Sequence, residues 1–332
     1  MKTISRRAFL GSGLATGAVT LAQPTWSTPI RRKRSTGLVS DMRYRDHVIR
    51  AQHPESPQRL VAIHRRLTES GLLDSLTAVS PLADPDPYIA AVHTRAHRDA
   101  INAIPVSGQV ARLAVAGVCG AVDQVCNGGI SNAFCAVRPP GHHARNTGRP
   151  EGFCYYNTIA AAARFAQRAH GVGKVLIIDW DYHHGNATEE FFYEDPSVLF
   201  FSTHDKRAYP GTGSPRRKGA GKGKGLSINV HLGCGATDQD MLGAWERHLL
   251  PAAHAFKPEL VLISAGFDSR VNDTLGCFKC TDICFARMTS LALDIADSYA
   301  GGRLVSALEG GYNIEGQAEA VMAHVQSLRR PL

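Results

Sequence analysis

The segment Lys174–Asn186, KVLIIDWDYHHGN, admits few folds. Its apolar, β-branched run follows Gly173 and ends in charged residues, the pattern of a strand buried on both faces of a parallel sheet. Alternate residues of an extended chain point the same way, so Asp179, Asp181 and His183 can face one cavity. Buried carboxylates without partners are costly, and a cation would satisfy them. The competing reading is an ion-paired strand end with one satisfied histidine, because metal-ligand patterns this short also occur by chance.

The rest of the chain alternates in the same style. Strands are predicted at Thr36–Val39, Leu76–Val79, Asn132–Val137, Lys174–Ile178, Val198–Ser202, Leu226–Val230, Leu260–Ser264 and Leu304–Leu308. Between them, helical spacing runs from Pro57 (with Ser56 as N-cap) to Gly71, around Tyr88–His93 and Arg95–Ile104, and over Val110–Cys126. Further helices are predicted over Asn157–His170, Ala187–Tyr193, Thr237–Phe256, Asp282–Tyr299 and Glu315–Leu328. This alternation predicts an α/β fold, one mostly parallel sheet with helices on both faces. At 332 residues and 44% hydrophobic content the chain can bury a large core, and no repeat or internal linker divides residues 36–332 into two domains.

Residues 1–22 read differently. Ser5-Arg6-Arg7-Ala8-Phe9-Leu10 leads into an uncharged Gly/Ala/Leu stretch too short to span a membrane stably, with Thr20-Leu21-Ala22 as a small-residue cleavage site. That layout predicts a twin-arginine signal segment, engagement of the twin-arginine export machinery and delivery to a bacterial periplasm. An uncleaved anchor is the alternative, and weak hydrophobicity counts against it. Residues 23–35 form a basic linker. The net charge of +8 is concentrated in Arg31–Arg34 and in Arg216-Arg217-Lys218 with Lys222 and Lys224. Neither cluster has the interleaved aromatics of a nucleic-acid platform, and the Gly/Lys loop lacks P-loop spacing, so solvated loops are the favoured reading. Of eight cysteines, Cys119, Cys126, Cys135 and Cys154 sit in apolar segments as small hydrophobes. Cys277, Cys280 and Cys284 are the only close cluster, without a fourth nearby ligand for a structural zinc.

In a parallel sheet, ligands bind beyond the carboxyl ends of the strands. There the sequence places Arg138-Pro139-Pro140-Gly141-His142-His143, then Asp179 to His183, Thr203-His204 with Tyr209-Pro210-Gly211, Ala265-Gly266-Phe267-Asp268 and Glu309-Gly310-Gly311-Tyr312. These stretches, with His53-Pro54-Glu55 and Gly152-Phe153-Cys154, resemble the histone deacetylase and acetylpolyamine amidohydrolase family, of the arginase–deacetylase fold. The matches run from about Thr36 to Leu328, and Asn186 with Glu309-Gly310-Gly311-Tyr312 resembles the class II branch.

The resemblance implies one Zn2+, with Fe2+ or Co2+ as alternatives, held by Asp181, His183 and Asp268. Gly185 and Gly266 stand where a second metal would want ligands. It implies His143 as general base and then acid, His142 as its supporting partner, Asp179 and Asn186 orienting the two rings, and Tyr312 donating to the oxyanion. Gly152, Phe153, Tyr209 and Leu275 match walls of a narrow substrate channel. A K+ ion is implied at Asp179, Asp181, His183, Ser202 and Thr203, and another at the backbone oxygens of Phe192, Asp195, Val198 and Leu226. The implied activity is hydrolysis of an acylated amine, acetyl-lysine or an acetylpolyamine. The alternatives are a silent acyl-ligand binding protein and, from the basic loops, nucleic-acid binding. Two departures stand out: Asn272-Asp273-Thr274 replaces the usual Gly-Asp-Pro, and Ile104–Val110 lacks the acid that grips a peptide backbone.

Overall fold

A computed structural model describes residues 34–331, so the twin-arginine segment and most of the basic linker lie outside the described residues. Among these, strands β1 (Thr36–Val39), β2 (Thr77–Ala78), β3 (Asn132–Cys135), β4 (Val175–Asp179), β5 (Val198–Asp205), β6 (Ser227–Leu232), β7 (Leu260–Ala265) and β8 (Leu304–Leu308) form one sheet. Their order is β2-β1-β3-β8-β7-β4-β5-β6 and every pairing is parallel. β4, at the centre, is buried along its whole length, as its unbroken apolar run requires.

The helices are α1 (Gln58–Glu69), α2 (Asp86–Ile89), α3 (Arg95–Asn102), α4 (Ser107–Cys126), α5 (Thr158–His170), α6 (Asn186–Phe192), α7 (Asp238–Ala244), α8 (Leu250–Phe256), α9 (Asp282–Tyr299) and α10 (Ile314–Leu328). α4 packs on α5, while α1 and α9 both pack on α10, and α5 and α9 reach β7. The sheet is therefore covered on both faces, as the alternation predicts. α5 shows how the sequence sets its ends. The Asn157 side chain accepts from Ala160 N at 2.9 Å, and Gly171 closes the helix at φ +66°.

Several boundaries differ from expectation. β5 runs three residues further, so Thr203 and His204 lie within the strand, where pairing with β6 continues as far as Asp205. α1 starts at Gln58 with Pro57 as its N-cap, and Ser56 contributes its backbone carbonyl to Arg59 N rather than a side-chain cap. The predicted Thr237–Phe256 helix is divided by a π-helical turn at Trp245–Leu249. Cys126 is only partly buried, and Cys277 pairs in a disulfide with Cys234, leaving Cys280 and Cys284 as free, buried thiols.

Candidate active site

β3 and β4 are consecutive in sequence but separated in the sheet by β8 and β7. A crevice opens where consecutive strands part, and the loops after β3, β8, β7 and β4 meet in it. Asp181 and His183 follow β4, Asp268 follows β7, and their donor atoms all lie within 4.8 Å of one another. His183 Nδ1 is 3.2 Å from Asp181 Oδ1 and 2.9 Å from Asp268 Oδ2. The remaining carboxylate oxygens are fixed by backbone donors: Gly310 N to Asp181 Oδ2 and Tyr182 N to Asp268 Oδ1, both at 2.8 Å.

Glycine backs this cluster for a steric reason. A Cβ at Gly266 would lie 2.0 Å from Asp181 Oδ2, and one at Gly310 would lie 2.3 Å from Asp268 Oδ2. Burial, with the neighbouring Asp181 charge, raises the proton affinity of the Asp268 carboxyl. The two buried carboxylates repel each other's charge, and with the imidazole lone pair between them they fit a divalent cation, with coordination positions left open. The donor set thus fits zinc, and its oxygen content also suits Fe2+ or Co2+.

The two histidines after β3 are oriented by different partners. His142 Nδ1 is 3.0 Å from Asp179 Oδ2, and His143 Nδ1 is 2.8 Å from Asn186 Oδ1. Their rings are 3.9 Å apart. Burial works against charge on His142, but Asp181, Asp179 and Glu309 outweigh it and raise its proton affinity. Burial, then the adjacent His142, lowers that of His143. Asn186 Oδ1 can only accept, so His143 Nδ1 carries a proton and Nε2 is left as the basic nitrogen. Tyr312, almost fully buried, follows β8, and among the described residues its hydroxyl has no hydrogen-bond partner.

The histone deacetylase domain matches residues 53–328. The chain belongs to the histone deacetylase family. It is 39% identical over 309 residues to histone deacetylase 6 of Caenorhabditis elegans, covering 83% of this chain and 32% of that protein. It is 38% identical over 302 residues to histone deacetylase 15 of Arabidopsis thaliana, covering 84% and 53%. A probable deacetylase of Archaeoglobus fulgidus is 34% identical over 297 residues, covering 85% and 82%. The crystal structure of the HDA15 HD domain superposes with a TM-score of 0.81 at 35% identity, over 88% of this chain and 90% of that one. The chain thus spans about a third to a half of the two plant and nematode deacetylases.

Within this crevice, two of the four expected channel residues lie against His143. Gly152 sits against His143, Tyr209 meets the His143 ring edge-on at 4.9 Å, and Phe153 meets Tyr312 edge-on at 6.1 Å. Phe153 is held at φ +67°, a conformation uncommon for an aromatic residue and concentrated at functional sites. Tyr209 and Leu275 are about half exposed, which puts them at the rim. Asp179 lies beside Ser202 in the sheet, so residues expected around K+ are neighbours. However, Ser202 Oγ is bonded to His204 Nδ1 at 2.9 Å. At the second K+ position, the carbonyls of Phe192 and Leu226 already accept from Asp195 N and Phe200 N.

Sequence reasoning missed three supports. Glu309 Oε2 accepts from Gly141 N at 2.6 Å and His142 N at 3.2 Å, fixing the turn that carries both histidines. Burial pushes its carboxyl up to about 7. His53 stacks edge-on against Phe153 at 4.6 Å. Buried Arg59 donates to the carbonyls of Gly311 at 2.7 Å and Glu309 at 2.5 Å. The Glu309-Gly310-Gly311-Tyr312 motif was the available signal for Glu309; nothing local points to Arg59.

Proposed function

We propose that this chain is a metal-dependent deacylase that hydrolyses the amide of an acylated amine. The observation that carries the reading is the convergence, in one crevice, of the Asp181–His183–Asp268 donor set with two differently tuned histidines and the free Tyr312 hydroxyl. Zn2+, or Fe2+ or Co2+, held by those three residues would acidify a water and polarise the amide carbonyl. His143 Nε2, the nitrogen not committed to Asn186, takes a proton from the attacking water and returns it to the departing amine nitrogen as the C–N bond breaks. His142, whose carboxylate neighbours favour its protonated form, supports the negative charge that develops. Tyr312 donates its hydroxyl to the former carbonyl oxygen. K+ beside Asp179 and Ser202 is a structural companion of the same reading.

Phe153 and Tyr209 flank a path for an aliphatic chain. The segment Ile104–Val110 contains no acid to grip a peptide backbone. Small acylated amines are therefore expected to react at least as well as acetyl-lysine peptides, and the ratio of their kcat/KM values decides this. The N-terminal segment points to export by the twin-arginine route, to be checked by fractionation of the expressing cell.

The test combines metal analysis with turnover on acetyl-lysine peptides, acetylated polyamines and simple amides. Asp181→Ala, His183→Ala and Asp268→Ala are each expected to lose the metal and the activity. Tyr312→Phe should retain metal but lose roughly 10²–10³-fold in rate. Binding without hydrolysis across the panel would favour a silent acyl-ligand binding protein, and full metal content in all three ligand variants would overturn the donor assignment.

A further inference from the structure

The Tyr312 backbone follows Gly310 and Gly311, and Gly311 adopts φ +119°. Two glycines give the chain little reason of its own to hold a reactive side chain in place. Arg59 fixes the carbonyls of Glu309 and Gly311, but the amide of Tyr312 itself is held from elsewhere. Asp273 Oδ2 accepts from Tyr312 N at 2.7 Å and from Asn313 N at 3.0 Å. The other oxygen, Oδ1, accepts from Leu275 N at 2.9 Å and Gly276 N at 3.1 Å. Asn313 Nδ2 doubles the link by donating to Asn272 O at 2.7 Å. Hydrogen bonds to an ionised acceptor are stronger than neutral ones, and four converge on this one carboxylate.

We infer that Asp273 is a positioning residue that fixes Tyr312 and Leu275 relative to each other, so that one carboxylate ties the oxyanion donor to a wall of the acyl channel. This rests on the assignment of Tyr312 above. Asp273 touches neither substrate nor reacting atoms; it acts through the two backbone segments it joins. A substrate pressing on Leu275 therefore meets a wall anchored to the same carboxylate that aims the Tyr312 hydroxyl.

The experiment is a double-mutant cycle on the full-length, metal-loaded protein, using an acetyl-lysine peptide under single-turnover conditions so that slow rates stay measurable. Asp273→Asn preserves shape, but its NH2 cannot accept, so one pair of N–H bonds is lost. The expected result is a rate about 10–100-fold below the parent at unchanged metal content, and at most about a twofold further loss in a Tyr312→Phe background. A parental rate in Tyr312→Phe would remove the Tyr312 assignment itself. A slow Tyr312→Phe together with an Asp273→Asn rate near the parent's, or an equal loss in both backgrounds, overturns the present inference alone. Hydrogen exchange on the parent protein needs no variant. Protection of the Tyr312 and Leu275 amides is expected, and free-chain exchange of either one also overturns the bridge.

Discussion

A methyl group added at Gly152 would sit 2.3 Å from His143 Cδ2 and 2.8 Å from Tyr209 Cε1, on backbone at φ +51°. No rotation of the new group relieves that contact, so His143 must move or the 152–153 turn must open. Gly152→Ala is therefore expected to keep metal and fold yet lose on the order of 100-fold in kcat/KM, the scale at which misplacing a reacting group by an ångström is felt. A rate near the parent's at full metal content would show that His143 tolerates displacement. The residues that converge in the crevice were readable because their signal is local. Asp181 and His183 alternate just beyond the end of β4, and His142 and His143 are adjacent. Arg59 and Asp273 were not readable as supports. The backbone that each holds around Tyr312 is distant in sequence, 250 residues for the bond from Arg59 to Glu309 and 39 for that from Tyr312 to Asp273.

At the scale of elements, strands and helices followed from periodicity, while the cross-links between loops did not. Cys277 is close in sequence to Cys280 and Cys284, yet its partner is Cys234, 43 residues earlier, with a Cα–Cα separation of 5.2 Å. The link joins the loop after β6 to the segment carrying Leu275, where Gly235 N also donates to Cys277 O at 2.9 Å. Chain-entropy arguments put a cross-link closing a loop of this size at about 4 kcal/mol. Cys234→Ser is expected to lower the thermal midpoint of unfolding. Dithiothreitol should lower the parent's midpoint by a similar amount and leave that of the variant unchanged. A parent midpoint indifferent to reductant would mean that the bond contributes nothing to stability. Register explains the extension of β5: pairing with β6 carries the strand to Asp205, and polar residues at a strand's end read locally as loop.

Across the whole molecule, the fold class was legible because β-α alternation leaves little freedom in topology. What unites the layers is hidden in residues whose neighbours are remote. His324 of α10 is fully buried, with Nδ1 at 2.7 Å from Thr289 Oγ1 of α9 and Nε2 at 2.8 Å from Ser306 Oγ of β8. A lone histidine in a helical pattern gives no sign of this. Burial lowers its pKa from 6.5 to about 3. Between those values the unfolded chain binds one proton more than the folded one at this site, so stability rises with pH across the window. The contribution is fully present above about pH 6.5 and is lost progressively as the pH falls towards 3, at up to about 1.4 kcal/mol per pH unit. Metal ligands also take up protons in acid, so the slope of the parent alone does not isolate His324. Its comparison with His324→Asn does, because the metal centre is common to both proteins and cancels. Urea unfolding measured from pH 4 to 8 is expected to show a shallower loss of stability in the variant, by close to one proton below pH 6.5. Parallel curves would mean that His324 takes up its proton without unfolding the contacts between α9, α10 and β8.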